Sequence, residues 1–224
     1  MQAGYIEFLW KGSTHALEQF LASVPQDVDP DGAITAARWE LHMIKRDFAG
    51  AEAALAASPL TEFSYLNGSE TPKDYFAGCT ALARGDHAAA EAAFERARLN
   101  FEAAVQEAPE NATRHANLGL LYAFMGRKEA AIIEGRRAVE LEPETRDAVD
   151  GALMNSYLAL IYARVGERDQ ALALIERQLK TPGTSDSVHY SVTAQDLRHR
   201  WEWDPLRSDP RFEQLIAQAE RAPR

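Results

Sequence analysis

Between Asn111 and Pro143 apolar and polar residues alternate with a helical period, NATRHANLGLLYAFMGRKEAAIIEGRRAVELEP. Leu118, Gly119 and Tyr122 share one side of a first helix, and Ala131 and Ala138 one side of a second. Gly126-Arg127 supply the turn and Pro143 the stop. A lone hairpin of this kind cannot bury its apolar face, so further hairpins must stack on it.

The same grammar recurs along the chain. Residues 5–24, YIEFLWKGSTHALEQFLASV, give a short apolar piece, a turn at Gly12-Ser13 and a helix that Ser13 or Thr14 can cap. This first helix reads as cut short at Met1, as if the chain starts inside a repeat. After the turn-rich PQDVDPDG (25–32), helix 33–46 carries Ala36, Ala37, Trp39, Met43 and Ile44. Arg46-Asp47 turn the chain into an alanine-rich helix that stops at Pro59. Residues 60–72 are the least regular connection, and Thr71-Pro72 reads as a capped helix start. Helix 73–84, a turn at Gly85-Asp86 and a long helix 87–107 follow. Residues 145–151 are a polar insertion, and 152–182 repeat the 112–143 pattern with a turn at Gly166. Residues 181–196 break the period. Asp204-Pro205 and Asp209-Pro210 mark helix starts in WEWDPLRSDPRFEQLIAQAERA, where Trp201, Trp203, Leu206 and Phe212 are too apolar for a free tail.

Steps of 39, 41 and 40 residues separate Arg46, Gly85, Gly126 and Gly166. The pattern resembles the tetratricopeptide repeat, whose unit is about 34 residues, with extra residues in the long helix after Gly85 and in the loops. The fold class is therefore all-α: an α-solenoid, a right-handed superhelix of antiparallel helix pairs, with a C-terminal capping helix. One domain, 1–224, is expected, with pairs at about 1–24, 32–59, 71–109, 112–143 and 152–182 and a cap at 196–222.

A finer resemblance rests on Arg38-Trp39 with Arg46-Asp47-Phe48, on Phe94-Glu95-Arg96-Ala97-Arg98, on Gly126-Arg127-Lys128-Glu129-Ala130-Ala131-Ile132, and on WDPLRSDPRFEQLI (203–216). Together these are similar to the C-terminal tetratricopeptide region of bacterial serine/threonine protein kinases, adenylate cyclases and winged-helix signalling proteins. The resemblance implies a sensory or assembly module of a longer signalling protein. No GxGxxG loop, HRD loop or DFG is present, so no catalysis is carried over.

Composition narrows the partners. A 46% hydrophobic and 26% charged chain is neither disordered nor membrane-like. Its net charge of −10 repels phosphate backbones, which disfavours nucleic acid. No apolar run approaches the roughly 18 residues of a membrane span, and the N-terminus lacks a signal-peptide pattern. The expected location is cytoplasmic, with a periplasmic domain of a membrane-anchored parent as the alternative. Cys79, the one cysteine, lies among small apolar residues and reads as a buried thiol.

The expected activity is non-catalytic binding of a peptide or protein segment in a concave groove lined by the first helix of each pair. The register places Glu40, Met43, Tyr75, Cys79, Thr113, Ala116, Asn117, Leu120, Ser156, Tyr157, Leu160 and Arg164 there. Some repeat proteins clamp a terminal carboxylate with Lys and Asn on this surface. Here Ala116, Leu120, Ser156 and Leu160 hold those positions, which favours an apolar or mixed peptide, or a segment of the chain itself. For Asn117 and Asn155 the plainer role is a hydrogen bond on or between helices. Alternatives are self-association into a homodimer through an exposed Trp10 or Phe8 face, and a small-ligand or metal site in the groove. No cofactor or metal is expected. Of His15, His42, His87, His115, His189 and His199, no two are four apart, so no helical metal pair exists. His115 reads as core packing. His189, His199 and Asp196 as a metal site, or Ser187, His189 and Asp196 as a nucleophile site, are remote readings.

The register has a direct test. Ala131→Leu should overpack the helix pair and cost about 1–3 kcal/mol; an unchanged melting midpoint would displace the register.

Overall fold

A computed structural model describes residues 1–25, 28–66, 69–180 and 192–221. It separates into two compact units, Met1–Asn100 and Phe101–Arg224. The first holds α1 (Gln2–Lys11), α2 (His15–Ser23), α3 (Ala33–Ile44), α4 (Phe48–Ala57), the strands β1 (Glu62–Ser64) and β2 (Glu70–Pro72), and α5 (Lys73–Arg84). The helix α6 (His87–Glu107) begins in it, and its residues from Phe101 on belong to the second unit. That unit continues with α7 (Ala112–Phe124), α8 (Lys128–Leu141), α9 (Ala148–Arg164), α10 (Arg168–Gln178), α11 (Ala194–His199), a 3-10 helix Trp201–Leu206 and α12 (Pro210–Arg221). Consecutive helices pack as pairs, so the fold is all-α and tetratricopeptide-like.

Each pair is closed by one left-handed residue. Gly12, Gly85, Gly126 and Gly166 have φ of 70°, 86°, 71° and 84°, and Arg46 takes φ 59° at the equivalent place. After Arg46, Gly85, Gly126 and Gly166 the next residue donates its N–H back across the turn: Asp47 to His42, Asp86 to Ala81, Arg127 to Tyr122 and Glu167 to Tyr162, at 2.8–2.9 Å. This back-bond satisfies a carbonyl that the helix end leaves open. Asp47 and Asp86 then cap the next helix, accepting from the N–H of Gly50 and Ala89.

Helices approach where side chains are small. A Cβ on Gly119 would stand 2.9 Å from the Gly135 nitrogen and 3.1 Å from the Ala131 carbonyl, so α7 and α8 meet backbone to backbone. Ala131, at this contact, and Ala138, about two turns further along α8, are fully buried. Gly78 differs, because the ring of Phe94, rather than a small residue, fills the space over it. The tyrosines reach back one element. Tyr122 donates to Glu102 of α6 at 2.7 Å, and Tyr162 accepts from Arg136 of α8 at 3.0 Å. Burial, with the Glu102 carboxylate second, pushes the Tyr122 hydroxyl up to about 12.

Four local expectations change. The connection 60–72 contains an antiparallel hairpin, with Phe63 opposite Thr71. Thr71 therefore donates to Ser69 O within the hairpin, and α5 starts after Pro72 without a side-chain cap. The polar insertion ends early, because Asp147 accepts from Val149 and Asp150 N–H and starts α9 at Ala148. In the 181–196 segment, Thr193 caps a helix that begins at Ala194. At Asp204-Pro205 the proline sits inside the 3-10 helix, while Asp209-Pro210 does open α12.

Arg46 tests the closure. Arg46→Gly should be more stable than Arg46→Ala by about 1 kcal/mol, since a left-handed residue with a Cβ costs about 1–2 kcal/mol. Urea unfolding midpoints measure the difference, and the reverse order would contradict the turn.

Candidate functional site

In the first unit, the first helix of a pair turns an aromatic face toward the hairpin. The ring of Phe76 on α5 is the hub. Trp39 of α3, Tyr65 and Phe63 meet it edge-on at 4.9, 5.0 and 5.2 Å between centroids. Trp39 also donates Nε1–H to Thr80 Oγ1 at 2.8 Å, tying α3 to α5. Phe63 lies so close over Gly32, at the start of α3, that a Cβ there would collide with its ring. Ser64 N–H donates to Asp31 O and Lys73 N–H to Thr61 O, which fixes the hairpin at both ends.

In the second unit, the 3-10 helix packs on α9. Trp201 stacks against Phe124 of α7 at 5.3 Å, and the Arg164 guanidinium stands over both rings at 5.1 and 5.3 Å. This segment is locked from beneath. Asp196 and Arg200 form a fully buried ion pair at 2.5 Å, and Trp203 donates to Asp196 Oδ2 at 2.9 Å. The apolar C-terminal residues therefore cap the last repeat as their composition predicts.

The twelve residues that the register assigns to the first helices divide unevenly. Thr113 and Arg164 keep partial exposure; the other ten are buried. Glu40 accepts the Tyr5 hydroxyl proton at 2.6 Å, Tyr75 meets Phe76 edge-on, and Ser156 donates to Ala152 O. Met43, Cys79, Ala116, Leu120, Tyr157 and Leu160 have almost no exposed surface. Phe63 and Tyr65, which cover this face in the first unit, come from a segment whose short strands carry too few residues to show a period.

Asn155 and Asn117 part company. Asn155 donates to Glu144 and to Gly151 O. Glu144 also receives Gln178 and pairs with Arg177, anchoring the insertion before α9. Asn117 is 4% exposed, and its amide oxygen has no hydrogen-bond partner among the described residues. It stands seven residues, about two helical turns, before Phe124 on the same side of α7. A buried amide without a partner costs stability and calls for a reason.

His115 is buried, with Nδ1 2.5 Å from Glu134 and Nε2 2.9 Å from Pro109 O, so its role is to join α7, α8 and the preceding loop. Ser187 and His189 lie outside the described residues. Among the described residues no group of three histidine, cysteine or carboxylate side chains could hold a metal ion, and no helix is long and apolar enough to cross a membrane.

No curated protein matches the chain. Residues 112–145, which comprise α7, its turn and α8, match the family model of the tetratricopeptide repeat. The chain thus carries a tetratricopeptide repeat within an all-α arrangement of helix pairs, the framework of a protein-interaction module.

Proposed function

We propose that the chain is a non-catalytic scaffold that binds a peptide or protein segment at α7, the first helix of the matched repeat, as part of a signalling protein. The observation that carries the binding site is Asn117. It sits on α7 of the repeat matched at 112–145, buried and with an amide oxygen that no described group satisfies. A peptide N–H would supply the missing donor, and Thr113, one turn earlier and partly exposed, extends the same strip toward solvent. The signalling context is supported by the WDPLRSDPRFEQLI segment, on which that resemblance chiefly rests.

A second reading is self-association. Ile6 and Trp10, one turn apart on α1, are 47% and 45% exposed, whereas Phe8 is buried and drops out of that face. A monomer by light scattering at high concentration would dispose of it.

Asn117→Leu separates a ligand-binding amide from a structural one. The variant should keep or raise the melting temperature, because a buried unsatisfied group is removed. It should also lose at least tenfold in affinity for peptides selected on the native protein by display. A large fall in melting temperature with unchanged peptide affinity would overturn the assignment.

A further inference from the structure

In the first unit a cavity of about 500 Å³ runs between α3 and α4. This is the size range of small-ligand pockets. One wall is Thr35, Arg38 and His42, which share a face of α3; the other is Gly50, Ala53, Ala54 and Ala57, which share a face of α4. The helices are antiparallel, so His42 stands over Gly50 at the turn end, where an added Cβ would collide with the imidazole. Pro59, Leu60 and Asp29 close the far end.

The polar groups of the lining can be followed one by one. Asp29 accepts from Ile34 N–H, Thr35 N–H and Thr35 Oγ1–H at 2.6–2.9 Å, so both its oxygens and the threonine proton are engaged in starting α3. His42 Nδ1 is held by Asp47 Oδ2 at 2.8 Å. Ser58 Oγ accepts from Leu60 N–H. Arg38 donates one N–H to Val24 O at 3.0 Å and, among the described residues, faces no carboxylate within ion-pair distance. A guanidinium has five N–H donors, so among the described residues most of this group's capacity is open, in a cavity whose floor is otherwise apolar.

From this we propose that the α3–α4 cavity is a binding site for a monocarboxylate with a compact apolar body, seated with its carboxylate on Arg38 and its body on Gly50, Ala53, Ala54 and Ala57. A guanidinium offers two parallel N–H groups that match a carboxylate. Asp29 in the same lining opposes a second negative charge, which selects a singly charged head over a phosphate. Both a free small acid and the terminal residue of a peptide have this chemistry. The site is independent of Asn117, which lies in the other unit.

Amide and methyl NMR spectra of the whole chain, titrated with isovalerate, isovaleramide and acetyl-alanyl-leucine, test the site. Saturable shifts at Ala53, Ala54 and Ala57 with either acid, and none with the amide, are expected. Response to isovalerate points to a free small acid, and response to the dipeptide alone points to a peptide terminus. Arg38→Gln should weaken binding at least tenfold. Ala53→Leu, at an exposed helix position where folding is not at risk, should block it by filling the floor. Equal binding of the amide, no saturable shift with any probe, or undiminished binding in Arg38→Gln would overturn the proposal.

Discussion

Every helix pair in both units depends on reversing the chain at one left-handed residue. At four of the five turns the following N–H reaches back to an open carbonyl, and the reversal holds α7 and α8 close enough for Gly119 to meet the Ala131 carbonyl. Four of the five positions are glycine, for which the conformation carries no steric penalty. Arg46 is the exception. Asp47 compensates there, since it both completes the back-bond and caps α4.

Once the pairs are closed, their first helices carry a surplus of apolar surface, and each unit disposes of it with its own irregular segment. The first uses the hairpin, whose Phe63 and Tyr65 surround Phe76 with Trp39. The second uses the C-terminal aromatics, positioned by the buried Asp196–Arg200 pair. Burying each such ring contributes roughly 2–3 kcal/mol, which offsets the ordering of one or two connecting residues at about 1–2 kcal/mol each. A buried ion pair contributes little net stability but is strongly destabilising to break, so Asp196 and Arg200 act mainly to hold the segment in one place.

The regular parts of this architecture were legible in the amino-acid order because they follow from local rules. The turn positions, including Arg46 as a stand-in for glycine, came from spacing; α5 and α6 came from period and breakers. The packing roles of Ala131 and Ala138 came from side-chain size. What could not be read is long-range. Strands of three residues have no measurable alternation, so the hairpin and the aromatic cluster it completes stayed hidden. The register placed twelve residues on the first helices and could not tell whether that face is open, because its covering comes from elsewhere in the chain. Asn117 was named among them, yet its missing partner is visible only once its neighbours are in place. The Arg38 cavity was hidden for the same reason, since an arginine reveals an unpaired charge only in three dimensions.

The central physical claim is that in the first unit the first-helix face is filled by the chain's own hairpin. Cys79 on α5 reports on this directly, being 1% exposed and the only thiol. Ellman's reagent added to the native protein should label it no faster than the protein unfolds, with full reaction only in denaturant. Rapid stoichiometric labelling under native conditions would contradict the claim and show that the face is open.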